Sequence, residues 1–274
     1  MPVAKSFYQV LTAAIADLTE NGFDSQERLD RWLVELRAAA RISLIPEEVL
    51  QRELRTNLTR VYERLVESGK LARIHKGVGQ FTIANIKPSL RAELDRRILA
   101  SANLIKLNRQ ASIERTLQRF AGWATSIPAG GSDVVERREV NETVRKSIAG
   151  LPFEERRVVI DQGHKLSSTL SDIVARDGGA IAAIWRHVRE GGGYQARPDH
   201  EARNGEVFVI RGNWAMTDGL MKLAGAQYTD EVEAPGQLVF CRCTYSYLYN
   251  LRDLPPEMLT EKGRAELARV RAAG

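Results

Sequence analysis

Apolar residues recur at helical spacing along most of the first two-thirds of the chain. Phe7, Tyr8, Val10, Leu11, Ile15 and Leu18 recur among polar positions such as Lys5 and Asp17, which predicts an amphipathic helix and not the unbroken apolar block of an export signal. Asp24-Ser25-Gln26-Glu27 reads as a capped start, with Asp24 as N-cap and Glu27 three residues on, ahead of Leu29, Trp32, Leu33, Leu36 and Ala40. Pro46 opens the next helix, whose face carries Val49, Leu50, Leu54, Leu58, Val61, Leu65 and Val66, and Gly69 falls just past its end. The pattern then breaks. His75-Lys76-Gly77-Val78-Gly79-Gln80-Phe81-Thr82-Ile83 predicts a hairpin, or a short strand and turn, near 74–83.

Helical spacing resumes after Pro88 with Leu90, Leu94, Ile98, Leu99 and Ala102, and again with Ile113, Leu117, Phe120 and Trp123. Ser126 to Asp133 is rich in turn residues, and Asp133 can cap a helix from Val134 to about Ile148. A further helix is expected after Pro152, ending near Asp177-Gly178-Gly179. From there the pattern becomes strand-like. Ala180–Trp185, Glu206–Ile210 and Val239–Tyr245 are short apolar or alternating runs, and Tyr247 and Tyr249 continue the last alternation. The fold class expected is therefore α+β, a mainly helical N-terminal region followed by a small C-terminal domain with a short antiparallel sheet. Its segments are 1–86, 87–150, 151–254 and a charged, loosely held tail over 255–274 that is helical from Glu261.

Composition narrows this picture only modestly. The 274 residues are 43% hydrophobic and 27% charged, ordinary for a folded domain, and the net charge of +5 favours nucleic acid or an acidic protein surface as partner. No run approaches the roughly 20 apolar residues of a membrane span. Two cysteines and no export signal place synthesis in a reducing cytoplasm. Arg52, Arg55, Arg60, Arg64, Lys70, Arg73, His75 and Lys76 could carry double-stranded DNA, in a layout faintly like a winged helix, although Glu53, Glu63 and Glu67 interleave as on a salt-bridged helix face.

The candidate chemistry is concentrated near the C-terminus. Both cysteines fall in Cys241-Arg242-Cys243, after a Pro235-Gly236 turn. On one strand Cys241 and Cys243 would share a face, and with His200 and His164 they could complete a tetrahedral structural zinc site. The alternative is that both are small buried residues and His200 braces a turn. A Cys241–Cys243 disulfide is at the edge of allowed geometry. Arg197, Asp199, His200, Glu201 and Arg203 form a dense polar knot in which His200 could be a general base, although neighbours on an extended segment diverge. Gly163-His164-Lys165-Leu166-Ser167 lacks the glycine-rich lead of a phosphate-binding loop. Trp32, Trp123, Trp185 and Trp214 are expected as core or interface anchors.

These residues also resemble a known pattern, the C-terminal domain of the phage Mu F-like head morphogenesis (minor head protein) family. The matching segments are Asp161-Gln162 with Lys165; Gly179 to Trp185; Arg197-Pro198 and His200 followed by Gly205 and Phe208; and Pro235-Gly236 followed by Cys241, Arg242 and Cys243. They occur in the family's order, although Asn204 stands where the family usually has Asp, and 211–230 is an insertion. The resemblance implies a non-enzymatic minor capsid protein for head assembly, with the portal or the major capsid or scaffold proteins as partners. It would act in the host cytoplasm during assembly and then in the virion, inside the head or at the portal vertex. No cofactor comes with it. Two other readings remain, a protein bound to packaged or ejected DNA, and a zinc-dependent enzyme or toxin using His200, Cys241 and Cys243.

Overall fold

The computed structural model describes residues 5–187 and 197–273 and is α+β, mostly helical, with one three-stranded antiparallel sheet near the C-terminus. The helices are α1 (Phe7–Asn21), α2 (Gln26–Ser43), α3 (Glu47–Tyr62), α4 (Lys70–Ile74), α5 (Gln80–Ala124), α6 (Arg137–Asp177), α7 (Pro198–Ala202), α8 (Trp214–Thr217) and α9 (Glu261–Ala273). The strands are β1 (Ala182–Arg186), β2 (Val207–Val209) and β3 (Thr244–Leu248), in the order β2-β1-β3. The chain divides into two compact units, each made of two stretches: 1–55 with 99–159, and 56–98 with 160–274. The sequence reading had expected four consecutive segments. Both α5 and α6 supply residues to each unit.

The first unit is a helical core. Ser6 caps α1 through a reciprocal bond pair, accepting from the Gln9 N–H at 3.3 Å while the Gln9 side chain accepts from the Ser6 N–H at 2.9 Å. The predicted stripe of Phe7, Val10, Leu11, Ile15 and Leu18 is buried against Leu29, Leu36, Ala40, Leu117 and Phe120. Ser25, not Asp24, is the cap of α2; its hydroxyl accepts from the Arg28 N–H, and Asp24 instead pairs with Arg28 at 3.1 Å. The glycine-rich break docks on the end of α1, where the Ser132 N–H reaches Thr19 O at 2.8 Å. A Cβ on Gly131 would stand 2.3 Å from that same carbonyl, so only glycine permits the approach. Arg109 and Glu155 form a buried two-pronged ion pair, and Arg109 also donates to Ile45 O at 2.7 Å.

Two expected helix boundaries do not form. Pro88 lies inside α5 and Pro152 inside α6, so α5 and α6 run as single long helices. A proline removes one backbone donor and crowds the preceding turn, a local cost that burial along a long helix can outweigh. The hairpin expected near 74–83 is also absent. Lys70–Ile74 is helical, the chain turns through the Val78 N–H to His75 O bond of 2.9 Å, and α5 begins at Gln80.

In the second unit, β1 is the central strand, paired to β2 through Ala182–Val209 and to β3 through Trp185–Tyr245. The insertion at 211–230 is tightly organised. Arg211 pairs with Asp230 at 2.9 Å and Glu231 at 2.8 Å, its guanidinium lies 3.8 Å from the centre of the Tyr228 ring, and Ala215, Leu220 and Met221 are buried with Leu251, Leu254, Met258 and Leu259. The tail is correspondingly not loose. The α9 helix starts at the expected Glu261, Leu267 packs on that same core, and Lys262 donates to Asp218 O at 2.8 Å. No helix among the described residues is long and apolar enough to cross a membrane.

Candidate metal centre

The site grows from the central strand. Trp185, fully buried on β1, meets Phe208 of β2 at 6.1 Å and Tyr245 of β3 at 5.6 Å between ring centres. Arg203 lies over the Trp185 ring at 5.3 Å. Pro198 starts α7 at a position where a missing N–H costs nothing, and the single turn that follows delivers His200 edge-on to Trp185 at 5.1 Å. His200 is completely buried. Gly205, at φ 91°, turns the chain into β2 and donates its N–H to Trp185 O at 2.9 Å. Phe208, Cys241 and Cys243 close this small core with Trp185.

The segment carrying the cysteines corrects the sequence expectation. Val239 to Cys243 is not a strand; β3 begins only at Thr244. Phe240 sits at φ 61°, a left-handed conformation that no extended strand accommodates, and its N–H donates to the Asp161 carboxylate at 2.6 Å. Cys241 and Cys243 therefore converge by way of a turn and not by strand alternation. The Gly236 N–H donates to Cys241 Sγ at 3.3 Å, and Arg197 fixes the same turn by donating to Val239 O at 3.1 Å. Asp161 also pairs with Lys165 at 3.0 Å and stands beside the buried Gln162, and Ser168 donates its hydroxyl to Pro235 O.

The result is a buried trio. The Nδ1 of His200 lies 3.5 Å from Cys241 Sγ and 3.6 Å from Cys243 Sγ, and the three ligand atoms all fall within 4.8 Å of one another. Neither cysteine is in a disulfide. The Cys241 thiol is held below its ordinary range, first by its contact with Cys243, against the opposing effect of burial, and further by the Gly236 N–H.

Two of the chemical expectations change. His164 is not brought into the trio; it is exposed on α6, and partial burial and then the charge of Arg242 push its pKa down. His187, one residue past β1, was not foreseen. Its Nδ1 is 3.9 Å from Cys243 Sγ, and its N–H donates to the Asn204 side chain at 3.0 Å. The signal available was its place two residues after Trp185, but only strand pairing shows which way that strand end faces. The polar knot also separates. Asp199 approaches His200 Nε2 at 3.8 Å while Glu201 approaches His187 Nε2 at 3.8 Å, so the two carboxylates do not converge on one base. With Nδ1 turned to the sulfurs and the ring buried, His200 has no access to a substrate.

His75 leaves the proposed basic face. It is buried, hydrogen-bonded by Nδ1 to the Tyr249 hydroxyl at 2.6 Å and by Nε2 to Ser171 Oγ at 2.9 Å, and burial lowers its pKa to about 4. It is therefore neutral near pH 7 and contributes no charge to a phosphate-binding surface. Comparison of the chain with protein-family models, curated proteins and solved structures finds no match.

Proposed function

We propose that the chain is a phage minor head protein, acting in procapsid assembly without enzymatic activity, with the portal or the capsid and scaffold proteins as partners. The observation that supports this reading is the convergence of the four resembling segments on one small module. Asp161 holds the turn at Phe240, Trp185 and Phe208 form the core, Arg197, just before α7, and His200 on it meet the same turn, and Pro235-Gly236 leads into Cys241 and Cys243. Motif residues that merely coincided in sequence would be scattered over the surface. These depend on one another, as the elements of a binding module do. The buried His200 and the divergent carboxylates weigh against catalysis at the same place.

The test is genetic and compositional. Deleting the gene from the phage that carries it should lower the yield of DNA-filled heads and the infectivity, and mass spectrometry should find the protein in procapsids or virions. Unchanged assembly, DNA content and infectivity, together with particles free of the protein, would overturn the reading.

A further inference from the structure

We propose that Cys241, Cys243, His200 and His187 form a closed, tetrahedral zinc site that staples the end of β1, helix α7 and the turn before β3. The geometry carries the assignment. With Zn–S bonds of about 2.3 Å and Zn–N bonds of about 2.0–2.1 Å at tetrahedral angles, the sulfur-to-nitrogen edge of the coordination polyhedron is about 3.6 Å. The two edges from His200 Nδ1 are 3.5 and 3.6 Å. His187 Nδ1 lies 3.9 Å from Cys243 Sγ but outside the group whose atoms are all within 4.8 Å of one another, so it completes the tetrahedron by a swing of its ring toward the trio. A single imidazole nitrogen has one proton or one lone pair, so it cannot bond fully to two thiols at once. A metal ion satisfies all of these atoms together.

The groups around the trio have the character of a metal site as well. The Gly236 N–H points at Cys241 Sγ, a donor suited to a thiolate. Each histidine has a carboxylate close to its outward nitrogen, Asp199 for His200 and Glu201 for His187, both at 3.8 Å. Both distances are beyond hydrogen-bond reach, and the buried His200 Nε2 has no hydrogen-bond partner among the described residues. A ring turned slightly onto a metal would bring Asp199 or Glu201 into the position of an orienting carboxylate. Asp199 and Glu201 flank His200 on one turn of α7, and this alternation explains the density of charge in that segment. Two sulfurs and two nitrogens favour zinc over hard cations, and four protein ligands leave no open position for a substrate. Binding releases whatever protons the two sulfurs still carry, since both bind as thiolates. The site is structural, and it stands independently of the proposed role in head assembly.

The experiment uses the full chain, reduced and freed of metal, titrated anaerobically with cobalt(II) and then with zinc in competition with a chelator of known affinity. The wild-type protein should show the intense visible bands of tetrahedral cobalt with a thiolate charge-transfer band, saturating at equimolar metal and displaced by zinc. His187→Ala should weaken zinc binding by more than the roughly 10–100-fold lost when a group behind a ligand is removed. His164→Ala should leave affinity and spectrum unchanged. Circular dichroism establishes that each variant remains helical, and the wild-type spectrum decides the matter even where a cysteine variant does not fold. Absence of tetrahedral cobalt in the wild type overturns the site. A His187→Ala protein that binds as the wild type does, or a His164→Ala protein that loses binding, overturns this ligand set.

Discussion

Asp161 and Phe240 are separated by 79 positions, yet the backbone N–H of Phe240 lies 2.6 Å from the Asp161 carboxylate. That bond offsets the left-handed backbone of Phe240, which for a residue with a side chain costs about 1–2 kcal/mol. Without it the turn that gathers Cys241 and Cys243 keeps the bond from the Ser168 hydroxyl to Pro235 O as its anchor on α6. Asp161→Ala should destabilise the second unit by about 1–3 kcal/mol, the usual cost of leaving buried partners unpaired. Hydrogen exchange at 236–243 checks this directly, and unchanged protection there would show that the turn stands without Asp161.

Gly236 is the second support of that turn. It sits at φ 81°, and an added Cβ would stand 3.1 Å from the Ser168 Cβ. Gly236→Ala should cost about 1–2 kcal/mol from backbone strain alone and should displace the N–H that faces Cys241. Urea denaturation together with the rate of Cys241 alkylation measures both consequences. A variant as stable as the wild type with unaltered thiol reactivity would count against this account.

His75 should make the second unit sensitive to mild acid. Its folded-state pKa is depressed to about 4 by burial, so the unfolded chain binds a proton more readily than the folded one below the ordinary histidine value. The contribution is intact above about pH 6.5 and is lost as pH falls from there through about 4, with a full magnitude on the order of 3 kcal/mol. His75→Gln removes the titration and retains hydrogen-bonding atoms near Tyr249 and Ser171. The urea midpoint of the wild type should therefore fall more steeply than that of His75→Gln over this window, and parallel curves would refute the linkage.

In the first unit, the buried pair of Arg109 and Glu155 provides a test of desolvation against pairing. Arg109→Met alone strands a buried carboxylate and should cost about 3–5 kcal/mol, whereas Arg109→Met combined with Glu155→Leu should recover much of that loss. A double-mutant cycle by thermal or urea denaturation gives the coupling. Additive losses would indicate that water reaches the pair.

The helices were legible because each is decided by nearest neighbours along the chain. The Phe7–Leu18 stripe, the break at Gly69 after the π-helical turn Glu63–Glu67 that continues α3, and the start of α9 at Glu261 follow from periodicity and local capping, which a linear sequence displays. Pro88 and Pro152 misled for the converse reason. Their cost is local, but what outweighs it is burial along long helices that contribute to both compact units. The segment from His75 to Ile83 misled in the same way, since its glycines suit a hairpin turn and equally the helix-to-helix turn that forms.

By itself the sequence determined the α+β class, the helical stripes, the regions of the first two strands and the segments that carry the candidate chemistry. It did not determine which histidine joins the cysteines. His164 was the partner expected beside His200, yet pairing of β1 with β2 and β3 places His187 beside Cys243, and His164 is exposed. Nor could it show that Cys241 and Cys243 meet through a turn, because the carboxylate holding that turn belongs to α6. Periodicity reports the face a residue presents within its own element. The cluster of His200, Cys241 and Cys243 is a relation between elements, and it exists only once the sheet register and the bond between Asp161 and Phe240 have brought them together.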